Sequence, residues 1–298
     1  MTRVATLVSN PKAPALDDAM LARARTMLPD PAPPEWLAPG IAADIVIAEG
    51  GPDNRALADR VRDSLAGAPI DVVVQPIAQR RKRLFLADMD STMIEQECID
   101  ELADKVGLKA KVAAITERAM RGEIAFEPAL RERVALLAGL PATVVDELIA
   151  ERITLTPGAR MLVATMRQHG THTCLVTGGF TLFSDRLAAM IGFHETRANT
   201  LSVTDGKLGG TVNEPIFGRE AKLATLLELR ETFALAAQDT MAIGDGANDI
   251  AMIEAAGLGV AYHAKPAVAA MAAARIDFGD LTALLYVQGY RRADFAPE

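Results

Sequence analysis

Two carboxylates, Asp88 and Asp90, stand one residue apart at the end of the apolar run Leu84-Phe85-Leu86-Ala87, and two hydroxyl residues, Ser91 and Thr92, follow. The pattern reads as a buried strand that stops at a reactive edge. Four apolar residues suit a central parallel strand covered on both faces, and ligands of open α/β sheets sit beyond the carboxyl ends of such strands. A bare Asp-x-Asp also arises from composition alone, so the pair carries weight only in company. That company is a second acidic turn, Met241-Ala242-Ile243-Gly244-Asp245-Gly246-Ala247-Asn248-Asp249, again after a short apolar run and again opening a helix-like pattern. Two strand ends presenting carboxylates, Asp88 and Asp245 foremost, are what a hard divalent cation such as Mg²⁺ needs. A third end, Thr177-Gly178-Gly179, follows the strand pattern of 172–176.

The elements that must hold these ends apart and together follow from periodicity. Residues 1–80 read as a small α/β unit, with strands near 4–8, 44–48 and 70–77 and helices carrying Leu16, Met20 and Met27, then Leu57, Val61 and Leu65. Trp36-Leu37 adds a further strand if it forms a hairpin, which makes the unit βαββαβ. The basic run 80–83 reads as a solvated joint. From about 95 to 157 the pattern is helical throughout, an insertion placed to fold over the crevice as a lid. After Pro157-Gly158 the α/β alternation resumes, with helices over 159–169, 180–191, 219–231 and 248–256, strands over 172–176, 241–244 and 257–261, and a hairpin around Asp205-Gly206. Strands alternating with helices predict a Rossmann-like parallel sheet in residues 81–298.

Composition narrows the partners. A net charge of −8 argues against a nucleic-acid surface, because phosphate backbones are bound through clustered Lys and Arg. No run of about 18 uncharged apolar residues is available for a membrane span, and residues 1–12 lack a signal-peptide core. Cys98 and Cys174 are too few and too isolated for a disulfide framework or a Cys-based zinc site. The expectation is a soluble, cytoplasmic protein with a small-molecule partner, and a homodimer stays open. His169, His172, His194 and His263 show no metal-ligand spacing and are assigned structural roles. Taken singly, Thr177 is a β-residue ending a strand, Lys222 a surface lysine and Arg133 part of a solvated helix face. Only their combination with the acidic turns argues otherwise.

Asp88-Met89-Asp90-Ser91-Thr92, Thr177, Lys222 and Gly244-Asp245-Gly246-Ala247-Asn248-Asp249 occur in the order of the four motifs of the haloacid dehalogenase superfamily of phosphotransferases, and the chain resembles that superfamily. The resemblance implies Mg²⁺ held by Asp88, Asp245 and the backbone carbonyl of Asp90. It implies Asp88 as nucleophile, Asp90 as general acid and then base, and Thr177, Gly178 and Lys222 as phosphoryl ligands. Phosphate monoesters react extremely slowly unaided, so neutralising the dianion before a carboxylate attacks it makes physical sense.

Within the superfamily, Glu97-Cys98-Ile99-Asp100, Arg121-Gly122-Glu123-Ile124-Ala125-Phe126 and Leu130-Arg131-Glu132-Arg133-Val134 look like the phosphoserine phosphatases, as do Thr177-Gly178-Gly179-Phe180 and Ala261-Tyr262-His263-Ala264-Lys265-Pro266. The resemblance covers about 84–290, and the family more often has Ser where this chain has Thr177. It implies O-phospho-L-serine as substrate, with Glu97 meeting its ammonium, Arg133 its carboxylate, and Phe126 packing beside them. One carboxylate and one guanidinium match a head group carrying one charge of each sign. Arg133 also shares the apolar stripe of Phe126 and Leu130, where a charge needs a partner. Asn248, at a helix entrance, caps the helix or contacts substrate, and Asp249 binds metal, orients Lys222 or caps. Residues 1–80 resemble the amino-acid-sensing ACT-like extensions of some bacterial phosphoserine phosphatases. Rival readings are a relative acting on another small phosphate ester or an acceptor alcohol, and a non-enzymatic amino-acid sensor.

Overall fold

The protein is described by a computed structural model over residues 2–120 and 123–297, so Arg121 and Gly122 of the quoted motif lie outside the described residues. The chain opens with β1 (Arg3–Ser9), α1 (Asp18–Thr26), β2 (Glu35–Ala38), β3 (Ala42–Ile47), α2 (Asn54–Ser64) and β4 (Ile70–Pro76). Asp17 and Asp53 start the two helices by accepting the N–H groups of Met20 and Ala56 at 2.7 and 2.8 Å. The four strands form one antiparallel sheet in the order β2-β3-β1-β4, so Trp36-Leu37 does add the hairpin strand.

Strand alternation gives this sheet two different faces. Ile70, Val72 and Val74 of β4 pack with Ala5, Leu7, Leu21, Leu57 and Val61 into a closed core under the two helices. Their neighbours Asp71, Val73 and Gln75 point the other way, toward the rest of the chain. Asp71 accepts the N–H groups of Asp277 and Gly279, both at 2.7 Å, and Gln75 donates to the Val287 carbonyl at 2.7 Å. The small sheet is therefore seated on the rest of the chain by polar side chains reaching backbone and by apolar packing, in which Val8, Leu37, Ala42 and Val73 join the larger core.

The second sheet has six parallel strands in the order β12-β11-β10-β5-β6-β7. Its members are β5 (Leu84–Ala87), β6 (His172–Phe180), β7 (Glu195–Asn199), β10 (Thr240–Gly244), β11 (Leu258–Tyr262) and β12 (Ala274–Ile276). Helices α7 (Ala159–Gln168), α8 (Thr181–Ile191), α9 (Arg219–Thr232), α10 (Ile250–Ala255), α11 (Pro266–Met271) and α12 (Ala283–Val287) connect and cover them. Both β5 and β10 are buried along their whole length, as their unbroken apolar runs require. Strands β7 and β12 escape the sequence pattern: the first is a half-exposed edge of mixed polarity and the second has three residues. Register brings the site together. Ala87 lies opposite Ile243 on one side and Leu175 on the other, so the chain segments reaching Asp88, Asp245 and Thr177 emerge side by side.

Between β5 and α7 the described residues form four α-helices, α3 (Cys98–Lys105), α4 (Lys109–Met120), α5 (Phe126–Ala135) and α6 (Val144–Glu151). The hairpin of β8 (Leu201–Thr204) and β9 (Lys207–Val212) holds this insertion: Gly139 N–H donates to Leu208 O, and Ala142 N–H to Gly206 O, each at 2.8 Å. Arg131 on α5 adds an ion pair to Glu214 at 2.6 Å. No helix among the described residues is long and apolar enough to cross a membrane.

Candidate active site

Asp88 leaves β5 with its N–H still bonded to the Ile243 carbonyl of β10 at 3.0 Å, which fixes where its side chain starts. Its Oδ1 accepts from Met89 N–H at 2.8 Å and from Lys222 Nζ at 2.6 Å, while Oδ2 carries no hydrogen bond among the described residues. Lys222 sits in the first turn of α9 with 0% exposure and donates also to Asp249 Oδ1 at 2.7 Å. The other oxygen of Asp249 accepts Gly246 N–H at 3.1 Å, closing the acidic turn on itself. A Cβ on Gly244 would fall 2.3 Å from the Asp249 carboxyl carbon, so only glycine admits this approach.

The carboxylates outnumber the cation. One oxygen from each of Asp88, Asp245 and Asp249 can be chosen so that all lie within 4.8 Å of one another. Burial, then the Asp249 charge, raises Asp88 well above the usual carboxylate range, against Lys222; burial and Asp249 likewise push Asp245 up to about 6. Burial alone would lower Lys222, but Asp249 and Asp88 outweigh it and hold it above an ordinary lysine. An oxygen-only donor set short of positive charge fits a hard divalent cation. Of the three roles left open for Asp249 from sequence, its carboxylate makes the bond to Lys222 and also belongs to the acidic trio.

After Asp88 the chain curls through a single turn at 89–93, with Ser91 in the left-handed region at φ 53° and Ile94 N–H returning to the Met89 carbonyl at 3.1 Å. The curl has two consequences. Asp90 Oδ1 accepts Cys98 N–H at 2.9 Å while Oδ2 accepts from Thr177 Oγ at 3.3 Å, so its carboxyl bridges the insertion and the β6 end. Ser91 Oγ donates to Glu97 at 2.8 Å and brings that carboxylate back toward the turn. Glu97 keeps an exposed face, yet the protein packed around its carboxyl, with the nearby Asp90 charge, pushes it up to about 7.

The remaining predicted residues surround this pair. Thr177 Oγ also accepts Gly179 N–H at 2.8 Å, which shapes the turn after β6. The Phe126 ring, 40% exposed, lies over that turn, 3.4 Å from where a Gly178 Cβ would stand. Arg133 is half-buried, donating to Ala129 O at 3.3 Å and Thr116 Oγ at 3.4 Å. Burial lowers its pKa and the charges of Asp100 and Glu97 oppose that. Asn248 is half-buried beside Gly246, and its side chain makes no hydrogen bond among the described residues. His263 stands apart, bonded through Nε2 to the Gly279 carbonyl at 2.9 Å. Asn199 escaped sequence reading, and Ser91 was read only as part of the first motif, without its bond to Glu97; both act through contacts no spacing rule encodes.

A family profile described as haloacid dehalogenase-like hydrolase matches residues 85–254, more than half of the chain. The chain belongs to that family. It is 43% identical over 228 residues, 76% of its length, to a phosphoserine phosphatase of Streptomyces coelicolor. It spans only 55% of that relative's length. A phosphoserine phosphatase of a Polaromonas species is 45% identical over 74% of this chain and 95% of its own. Among solved structures, an unliganded probable phosphoserine phosphatase from Vibrio cholerae superposes with a TM-score of 0.77 at 31% identity, covering 98% of this chain and 88% of its own. The haloacid dehalogenase fold and the α/β class predicted from sequence are thus both present.

Proposed function

We propose that this chain hydrolyses O-phospho-L-serine to L-serine and phosphate through an aspartyl-phosphate on Asp88, the last step of serine synthesis by a phosphorylated route. The observation that carries the reading is the Asp88–Lys222–Asp249 cluster, with one Asp88 oxygen bound and the other free, next to Glu97 held by Ser91. The relatives' names agree with it. Asp88, Asp245 and the Asp90 carbonyl would hold Mg²⁺, which supplies charge neutralisation for the phosphate dianion when bound.

The chain's own groups carry the rest. Lys222 holds Asp88 Oδ1 and leaves Oδ2 to attack phosphorus as the ester P–O bond breaks. Burial raises Asp90 from its ordinary value, against the Cys98 N–H, a shift in the direction of the protonated form needed to give a proton to the departing serine oxygen. Asp90 then takes a proton from the water that attacks the aspartyl-phosphate, releasing phosphate and restoring Asp88. Thr177 Oγ, Gly178 N–H and Lys222 steady the phosphoryl oxygens. Glu97 receives the ammonium, Arg133 the carboxylate, and Phe126 covers both, with Asn248 at the rim. In this reading 1–80 is an ACT-like unit, 81–298 the phosphatase domain with its cap at about 95–157, and the compartment the cytoplasm.

Phosphate release from O-phospho-L-serine, with Mg²⁺ and with excess EDTA, tests it. Release that EDTA abolishes is expected. A folded protein that releases none, while cleaving other phosphate esters, would overturn the substrate assignment and leave the chemistry.

A further inference from the structure

Strand β6 does not run straight into the site. Val176 pairs with Arg197 and Phe180 with Asn199, so Thr177, Gly178 and Gly179 stand against the single residue Ala198 and bulge into the crevice. Bulges re-aim side chains beside active sites, but a glycine-rich bulge has little rigidity of its own. Asn199, 2% exposed, supplies it. Its Nδ2 donates to the Gly178 carbonyl at 2.8 Å and to the Phe217 carbonyl at 2.9 Å, and its Oδ1 accepts Phe217 N–H at 2.6 Å. Every hydrogen-bonding group of the amide is used.

Phe217 precedes Gly218, whose carbonyl accepts the Lys222 N–H at 3.0 Å in the first turn of α9. Asn199 therefore ties the bulge carrying Thr177 and Gly178 to the start of the helix carrying Lys222, two walls of one phosphoryl pocket. The Phe126 ring lies against both: Cβ atoms at Gly178 and Gly218 would stand 3.4 and 3.3 Å from it. We infer that Asn199 is a positioning residue for phosphoryl transfer, its amide setting the gap between the Thr177-Gly178 turn and Lys222 and, with it, the seat of Phe126. The inference rests on the phosphatase reading above but not on the identity of the ester.

The test compares Asn199→Ala and Asn199→Asp with Thr240→Val. Thr240 bonds Ala237 O and Gly257 N–H at the opposite end of the sheet, so its loss destabilises without touching the site. Asp keeps the acceptor for Phe217 N–H but has no donor for Gly178. Because misplacement by about 1 Å can cost about a hundredfold, both Asn199 variants should lose about 10- to 100-fold in kcat on phosphoserine and on p-nitrophenyl phosphate. Inorganic phosphate should bind about tenfold more weakly by calorimetry. Thr240→Val should stay within about twofold on all three readouts at equal loss of Tm.

Asn199 variants whose losses merely track Tm, as in Thr240→Val, would overturn the inference. If Asn199→Ala does not fold, Asn199→Asp is judged by the same criterion. A parent that cleaves p-nitrophenyl phosphate but not phosphoserine would sink the substrate assignment alone, leaving the ester and phosphate-binding comparisons to decide Asn199.

Discussion

Two buried acid–base clusters, one under each sheet, are built from similar parts and end in different chemistry. In the small sheet Asp44 receives Thr6 Oγ at 2.7 Å on one oxygen and Arg80 at 2.6 Å on the other. Charges match one to one and both oxygens are occupied. In the parallel sheet Lys222 faces Asp88 and Asp249, Asp245 stands close by, and Asp88 Oδ2 stays free. Burial raises Asp44 as it raises Asp88, but Arg80 opposes it in the first case, whereas Asp249 adds to it in the second. Burial alone does not make a carboxylate reactive. An unfilled oxygen and uncompensated charge do.

The sharpest way to break the comparison is to neutralise each acid. Asp88→Asn should lower kcat at least about a thousandfold in a folded protein, since it removes the attacking group. Asp44→Asn should leave kcat within about threefold but destabilise by about 1.5–3 kcal/mol, as expected when a part-buried guanidinium loses a charged hydrogen-bond partner. Steady-state kinetics and urea unfolding of both variants check the pair. Near-normal turnover by Asp88→Asn would end the nucleophile assignment.

Exchanging the cations comes next. Lys222→Met should cost about 10²- to 10³-fold in kcat, because a preorganised charge facing the phosphoryl group is lost. Arg80→Met should be read in stability alone. Equal kinetic losses from the two would erase the distinction between the clusters.

A third contrast lies in cation binding. At 100 times its dissociation constant, Mg²⁺ should stabilise the folded protein by about 2.7 kcal/mol, seen as an upward shift in Tm that EDTA reverses. Asp245→Asn should abolish the shift and Asp44→Asn should keep it. A shift retained in Asp245→Asn would move the cation elsewhere.

The smallest effect concerns pH. Glu97 is held at about 7 against an ordinary 4.5, so between those values the folded state binds more protons than the unfolded state. Its side chain is exposed, so solvent screens the charge and this group's contribution to stability falls only slightly as pH rises across that window, a slope that Glu97→Gln should flatten. An ammonium ion needs the ionised form, so KM for phosphoserine should fall as pH rises through about 7. Glu97→Gln should remove that dependence and raise KM about tenfold, the worth of one charged hydrogen bond. A pH profile unchanged in Glu97→Gln would place the ammonium elsewhere.

What could be read from the sequence was whatever a local pattern encodes. Leu84–Ala87 and residues 241–244 announce themselves because a strand covered on both faces is apolar along its length. The acids that follow them are legible because strand ends in such sheets open into the crevice. The insertion's helices show through their periodicity, and Trp36-Leu37 through its turn.

Tertiary structure alone decided which of these groups meet, and at what distance. The half-exposed strand Glu195–Asn199 has no apolar alternation to betray it, and Asn199 reaches partners 18 and 21 residues away. Asp71, flanked by Ile70 and Val72, looks like a solvated strand position, yet it is buried against backbone N–H groups more than 200 residues along. Likewise the free oxygen of Asp88 and the excess of carboxylates over Lys222 exist only once β5, β10 and α9 are packed together. Periodicity records which side of an element is buried, because burial acts residue by residue. Hydrogen bonds and charge balance depend on atoms from distant segments meeting within a few ångströms, and no local pattern carries that distance.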